Sequence, residues 1–196
     1  MILEGLVTTV DAHGALNVAP MGPIVDEAMT HLRLRPYRTS RTYQNLKVQP
    51  CGVFHVVDDV LLLARAAIDR LDPLPGHFPA ERVRGRVLTA ACRWYEFEVE
   101  SCDDAQERTE IEARVVHSGR LRDWFGFNRA KHAVLEAAIL ATRVRILPRI
   151  EILAEFARLE SPVSKTAGPR EREAFDLLYN YVRDAAAPLP TSPPSG

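Results

Sequence analysis

LRLRPYRTSRTYQNL, residues 32–46, joins a predicted strand to a predicted helix. Leucine and proline alternate with arginine and tyrosine over residues 32–37, which is the two-residue period of a strand. Residues 41–46 then predict one or two turns of helix, which end before Pro50. The stretch therefore contains a strand-to-helix junction, and the rest of the chain is organised around it.

Four arginines, two threonines and one serine lie at this junction. The first backbone N–H groups of a helix have no partner within it, and the helix dipole is positive at that end. Arginine adds forked donors and hydroxyl groups add more, so the junction can hold a phosphate-sized anion. An equally simple interpretation is that Ser40 caps a short helix and the arginines are solvated.

The composition is that of one globular domain of ordinary size, with room for a small appendage. The 196 residues are 46% hydrophobic and 26% charged, with a formal net charge of −1. We therefore expect neither nucleic acid nor a membrane as partner, and the arginines form a local cluster. We see no membrane span and no signal peptide. Three widely spaced cysteines fit a reducing cytoplasm.

The pattern of apolar residues predicts six strands in the first 120 residues. They cover residues 2–10, 15–19, 30–37, 51–58, 93–100 and 109–117. In the last two strands the apolar and charged residues alternate cleanly, so Glu96, Glu98 and Glu100 are expected to face solvent. The proline-rich residues 71–86 are expected to be irregular, and a plain surface excursion is favoured over a functional loop.

Helices are predicted over residues 60–68, 129–146, 149–159 and from Pro169 onward, with a loop at residues 161–168. Strands that precede helices indicate an α+β fold: a mainly antiparallel sheet or small barrel of about six strands, with a helical C-terminal part. A barrel is attractive because closure removes the edges that short hairpins leave. We expect a barrel domain over residues 1–120, a helical region packed on it over residues 121–186, and a disordered tail over residues 187–196.

Motifs of known chemistry are lacking. Ser164-Lys165-Thr166 has no glycine cradle, so a triphosphate-binding loop is excluded. His132 and Glu136 lie four residues apart on a predicted helix, but such pairs are far more often surface pairs than metal ligands, and no metal is expected. His55, inside a strand, is expected to be a hydrogen-bonded core residue. No residue identifies itself as a catalytic acid or base.

Two segments in order resemble the FMN-binding split-barrel proteins of the flavin reductase-like superfamily. They are NVAPMG at residues 17–22 and R-x-S-x-T-x-x-N-L at residues 38–46. Further stretches at residues 126–130, 136–143 and 165–168 extend the resemblance over nearly the whole chain. With them the chain is identified as a member of one uncharacterised branch of that superfamily.

The resemblance implies a homodimer with FMN at or near its interface. Carried over by position, the residues at the junction would hold and neutralise the phosphate: Arg38, Ser40, Arg41, Thr42 and, one helical turn further, Asn45. Backbone groups of the earlier segment would lie beside the isoalloxazine ring: Ala19, Pro20, Met21 and Gly22. Arg41 and Gly22 depart from the usual flavin-reductase pattern, which argues against free flavin as a substrate.

The resemblance favours an FMN-dependent oxidoreductase that acts on a small molecule. Members of this branch also accompany enzymes of pterin-linked one-carbon metabolism, which suggests a substrate class. The alternative is a flavin-binding carrier, sensor or assembly protein that performs no chemistry. A third hypothesis is a phosphate-ligand or scaffold protein without flavin.

Overall fold

The computed structural model describes residues 1–185, which form two compact units. The first unit contains residues 1–59 and 71–125, and the second contains residues 60–70 and the chain from Gly126 onward. Residues 60–70 therefore belong with the C-terminal helices, although they interrupt the first unit in sequence. The predicted tail at residues 187–196 lies outside the described residues, and the packing of the helices on the barrel stays a prediction.

The described part of the first unit contains one large antiparallel sheet and one small one. Its strands are β1 (Gly5–Val10), β2 (Leu16–Met21), β3 (Ile24–Val25), β4 (His31–Leu34), β5 (Cys51–Val56), β6 (His77–Pro79), β7 (Arg86–Leu88), β8 (Arg93–Asp103) and β9 (Glu110–Arg120). The large sheet has the order β2-β1-β5-β8-β9-β4-β3, and β6 pairs with β7. The α+β class is confirmed, but the large sheet has seven strands and not six.

The residues that precede β1 close the sheet on itself. Leu3 donates its backbone N–H to the carbonyl of Pro23 at 3.1 Å, and Val25 donates to the carbonyl of Met1 at 2.8 Å. The far edge strand β3 thereby gains a partner, whereas β2 remains an edge strand of the curled sheet among the described residues. The short strand β3 was missed because two residues are too few to show a period.

The inward faces of the strands fill the barrel as the alternating pattern predicts. Tyr95 and Phe97 on β8 belong to the same core cluster as Ile111 and Ala113 on the neighbouring strand β9, and all four are buried. Other strands contribute Val7, Val25, Leu32, Leu34 and Phe54. The period-two pattern thus identified the buried face of β8 and β9 correctly.

Glu96 on β8 is buried, so the expectation that all three glutamates of this face are solvated is wrong for this residue. Its side chain is fully buried, whereas Glu98 and Glu100 are exposed. The Glu96 carboxylate accepts hydrogen bonds from the backbone N–H groups of Glu81, Arg82 and Val83 at 2.9, 2.6 and 3.1 Å. The indole N–H of Trp94 donates to it at 3.2 Å. The segment that follows β6 therefore covers this part of the sheet.

Residues 71–86 are less irregular than expected, because they contain β6 and lead into β7. The hairpin of β6 and β7 packs an apolar cluster against the outer face of the sheet, with Val53, Val87 and Trp94 buried in it. The Thr8 hydroxyl also donates to the carbonyl of Arg86 at 2.6 Å. Buried polar and apolar side chains of the sheet thus hold this hairpin in place.

The described part of the second unit is helical. It contains α2 (Val60–Ala67), α3 (Arg129–Thr142), α4 (Arg149–Thr166) and α5 (Pro169–Asp184), while α1 (Arg41–Val48) belongs to the first unit. The loop predicted at residues 161–168 is wrong, because α4 continues through Pro162 to Thr166. Val163 in this last stretch is fully buried, and its burial offsets the hydrogen bond that proline cannot make.

Candidate functional site

Ser40 ends the extended segment and begins α1. Its backbone has φ −75° and ψ 146°, and its Oγ accepts a hydrogen bond from the backbone N–H of Tyr43 at 3.2 Å. Its carbonyl accepts from the N–H of Gln44 at 3.1 Å. These are the bonds of a helix N-cap, so the interpretation of Ser40 as a cap is confirmed.

The first turn of α1 carries four hydrogen-bond donors that have no acceptor within residues 1–185. Two are the backbone N–H groups of Arg41 and Thr42. The other two are the hydroxyl protons of Ser40 and Thr42, because each oxygen only accepts a hydrogen bond. Donors collected at the positive end of a helix dipole favour an anion as their partner.

Two arginines add positive charge to this turn. Arg38 and Arg41 are exposed, and their guanidinium groups form no hydrogen bond or ion pair with any residue that the structure describes. The backbone of Arg38 is fixed, since its N–H donates to the carbonyl of Glu107 at 2.9 Å and its carbonyl accepts from the Gln44 side chain at 2.8 Å. A fixed backbone with free guanidinium groups suits the recognition of a phosphate.

Thr42 also belongs to a buried polar network beneath the helix start. The amide of Asn17 on β2 donates to Thr42 Oγ1 at 3.1 Å and to Thr9 Oγ1 at 3.2 Å. The amide of Asn45 donates to Thr9 Oγ1 at 3.0 Å. All four side chains are at least nine-tenths buried. The network brings the two segments that carried the family resemblance into direct contact.

The acidic end of the β8–β9 hairpin clamps the other side of α1. The Tyr43 hydroxyl donates to Asp104 Oδ2 at 2.6 Å, and the Lys47 ammonium donates to the same oxygen at 3.0 Å. These hydrogen bonds hold the pKa of Asp104 below its ordinary value, and the pKa of Tyr43 is raised chiefly by its bond to Asp104. Tyr43, Lys47 and Asp104 are therefore engaged in positioning the helix.

Strand β2 ends in the residues that are predicted to lie beside a flavin ring. Ala19 and Met21 are half-buried, and Pro20 is tolerated because β2 is an edge strand of the sheet. A Cβ atom on Gly22 would come within 2.7 Å of the Glu4 carboxylate and 2.8 Å of Ile2. A larger residue at this position would therefore require the exposed side chains of Glu4 and Ile2 to shift.

The structure brings together some of the predicted residues and moves one inward. Arg38, Ser40, Arg41 and Thr42 form one continuous turn, whereas Asn45 lies 6% exposed beneath the helix against Thr9. Asn17 lies in a segment that carries the family resemblance, but the sequence predicted no role for it. Thr9 and Asp104 were not predicted to belong to the site. No pattern in the sequence marks these three, because the residues of α1 that they contact lie 25 to 61 residues away.

Within residues 1–185 no group of three His, Cys, Asp or Glu side chains could hold a metal ion. No helix in this part of the chain is long and apolar enough to cross a membrane. His55 lies fully buried with both ring nitrogens in hydrogen bonds to backbone groups, which confirms it as a core histidine.

A curled antiparallel sheet, closed by its own N-terminal segment and carrying a donor-rich helix start, defines the class of split-barrel proteins. The chain belongs to the family described as protein of unknown function DUF447. The model of its N-terminal domain matches residues 3–122, and a second DUF447 model matches residues 128–180. The family resemblance drawn from residues 17–22 and 38–46 is thereby confirmed.

Solved structures share the fold. An FMN-bound DUF447 protein from Methanosarcina mazei is 24% identical, with a TM-score of 0.78 over 92% of this chain and 94% of that one. Flavoredoxin of Desulfovibrio vulgaris is 14% identical, with a TM-score of 0.53 over 61% and 70% of the two chains. The 2-nitrobenzoate 2-nitroreductase of Pseudomonas fluorescens is 15% identical, with a TM-score of 0.52 over 60% and 64%. No curated protein matches the sequence.

Proposed function

We propose that this protein binds FMN and anchors its phosphate at the start of α1. The observation that carries the proposal is the set of four donors without acceptors in the first turn, beside two unpaired guanidinium groups. A phosphate monoester is a compact anion with several acceptor oxygens, which is the ligand that this set of donors requires. The FMN bound to the family member from Methanosarcina mazei supports the same ligand.

The residues of the turn would bind the phosphate in two ways, by hydrogen bonds and by charge neutralisation. Ser40 and Thr42 would donate their hydroxyl protons to phosphate oxygens, and the backbone N–H groups of Arg41 and Thr42 would add two further bonds. The guanidinium groups of Arg38 and Arg41 would neutralise the charge. The end of β2, from Ala19 to Gly22, would lie beside the flavin ring, as the family resemblance implies.

We propose an oxidoreductase acting on a small molecule as the function that this binding serves. When bound, FMN supplies hydride and single-electron transfer. The contribution of the protein would be to hold the cofactor by its phosphate. The link to pterin-dependent one-carbon metabolism, which rests on the family resemblance, makes pterins the first substrates to test.

A flavin-binding carrier, sensor or assembly protein is the second candidate. It is favoured by one observation: among the described residues around α1, the acidic group Asp104 is engaged by Tyr43 and Lys47. A carrier needs a firm hold on the cofactor but no proton donor or acceptor beside it. The two candidates differ in whether the bound flavin turns over with a substrate.

The visible spectrum of protein purified without added cofactor tests the proposal. FMN binding predicts absorbance in the flavin region, or quenching of FMN fluorescence on titration of the colourless protein. Protein that takes up no FMN would contradict the proposal and leave a phosphate-ligand or scaffold role. Turnover with a reduced nicotinamide or pterin donor would then separate the oxidoreductase from the carrier.

The homodimer remains a proposal that follows from the family resemblance. Light scattering after size-exclusion chromatography would give the mass of the species in solution. Because the cofactor is expected at or near the dimer interface, we expect the dimer to be favoured when FMN is present.

A further inference from the structure

The hydroxyl of Thr42 lies in the first turn of α1 and has no acceptor for its own proton, a state that it shares among the described residues with the buried hydroxyl of Thr9. Thr42 is 2% exposed, and its Oγ1 accepts a hydrogen bond from the Asn17 amide at 3.1 Å. Its own hydroxyl proton has no acceptor among residues 1–185. A buried donor without a partner costs roughly 1–3 kcal/mol. Thr42 lies in the donor-rich first turn of α1, where an acceptor from outside the chain would remove that cost.

Asn17 determines that the oxygen of the Thr42 hydroxyl accepts a hydrogen bond from within the protein, so that its proton is available to an outside acceptor. A carboxamide nitrogen can only donate, and its two protons go to Thr9 Oγ1 and Thr42 Oγ1. Because Thr42 Oγ1 must accept from below, its own proton is left for a partner on another side. The amide of Asn17 is held in turn by Thr9, whose oxygen accepts from both Asn17 and Asn45.

We propose that Asn17 is a positioning residue that fixes the Thr42 hydroxyl as a hydrogen-bond donor to the phosphate of bound FMN. This inference rests on the proposed function, since it names how one of the phosphate contacts is prepared. Asn17 itself stays buried beneath the helix and touches Thr42 rather than the ligand. Asn17 would orient the Thr42 hydroxyl before FMN binds, so that binding does not lose free energy by restricting the rotation of this hydroxyl.

The comparison of FMN with riboflavin tests the proposal, because riboflavin has the same ring and lacks the phosphate. We expect Asn17→Ala to raise the Kd for FMN about tenfold, the effect of one ordinary hydrogen bond. The Kd for riboflavin should change by less than about twofold. A residue with a merely structural role would weaken both flavins by the same factor.

Three further variants sharpen the test. Thr42→Val should weaken FMN without weakening riboflavin, and Asn17→Ala should add little in the Thr42→Val background, because the two residues act through one hydroxyl. Thr9→Val removes another member of the same buried network. Because Thr9 holds the Asn17 amide, this variant should lower the thermal unfolding temperature of the flavin-free protein and weaken FMN relative to riboflavin by a smaller factor than Asn17→Ala does.

Asn17→Asp tests the polarity of the contact and keeps the size of the side chain if Asn17→Ala does not fold. An ionised carboxylate can only accept, so it would draw the Thr42 proton inward, and the loss of FMN affinity should exceed that of Asn17→Ala.

An unchanged ratio of FMN to riboflavin affinity in the Asn17 variants would overturn this inference while FMN binding by the wild type stands. Wild-type protein that binds riboflavin as tightly as FMN would overturn the phosphate anchor of the proposed function together with this inference. Wild-type protein that binds neither flavin would overturn the proposed function itself, so the two failures are distinguishable.

Discussion

The imidazole Nε2 of His55 accepts a hydrogen bond from the backbone N–H of Leu88 at 3.1 Å. Since Nε2 accepts, the proton of the neutral ring lies on Nδ1, which donates to the carbonyl of Leu6 at 3.2 Å. The ring therefore joins strand β1 to strand β7 through β5. Burial lowers the pKa of His55 to about 4, against a smaller opposing effect of the Leu6 carbonyl.

Acidification is expected to destabilise the protein through His55. Because its pKa is lower in the folded state than the unfolded value of about 6.5, the unfolded chain binds more protons between these two pH values. The free energy of unfolding should fall by up to about 3 kcal/mol as the pH drops from about 6.5 to 4. Urea denaturation across this range would measure it. His55→Asn should be less stable at pH 7, and its stability should depend less steeply on pH in this window.

Glu96→Gln should loosen the segment that follows β6. Burial raises the pKa of the Glu96 carboxyl, but the hydrogen bonds from Glu81, Arg82, Trp94 and Val83 outweigh it and the net pKa is lowered. The neutral amide accepts at one atom only, so we expect a loss of about 2–4 kcal/mol in the free energy of unfolding.

Limited proteolysis provides a second measurement of the Glu96 variant, because the segment contains several arginines. Trypsin should cut Glu96→Gln faster than wild type between residues 82 and 86. Glu98→Gln is the matched control, since Glu98 is exposed and pairs with Arg114 at the surface. A Glu98 variant as labile as the Glu96 variant would show that the buried hydrogen bonds do not hold the segment.

Arg122→Met is expected to destabilise the end of the first unit. Arg122 donates to both oxygens of the buried Asp58 carboxylate and to the carbonyl of Ala90. The arginine side chain is 41% exposed, so solvent screens the pair and we expect a loss of about 1–3 kcal/mol. Arg120→Met, which removes a surface pair with Asp123, should cost less than about 0.5 kcal/mol by urea denaturation.

Arg38→Ala should weaken FMN binding without affecting the fold. The guanidinium is exposed and forms no hydrogen bond or ion pair within the described residues, so its removal takes away only a small electrostatic attraction to Asp104. If it pairs with the phosphate, the Kd for FMN should rise about 10- to 100-fold, the effect of one hydrogen bond to a charged group. Flavin fluorescence titration measures this. Arg33→Ala, which removes an exposed arginine paired with Glu112, should bind FMN as wild type does.

The sequence by itself determined the class of the fold and the helix start. Period-two alternation identified the inward faces of β8 and β9, because inward residues of a strand must be apolar wherever they meet a core. The sequence predicted Ser40 as the helix N-cap, because capping is a contact between residues three apart in the chain. These features are local, so a single sequence expresses them.

The tertiary structure decided what the polar residues do. The pattern placed Glu96 in solvent, and only the fold brings three backbone N–H groups from residues 81–83 onto its carboxylate. Asn17 and Thr42 lie 25 residues apart, and their hydrogen bond exists only because β2 and α1 meet. Propensity and periodicity are set by residues a few positions apart. A buried polar group forms its hydrogen bonds with groups that the fold brings next to it, and the sequence around that group does not identify them.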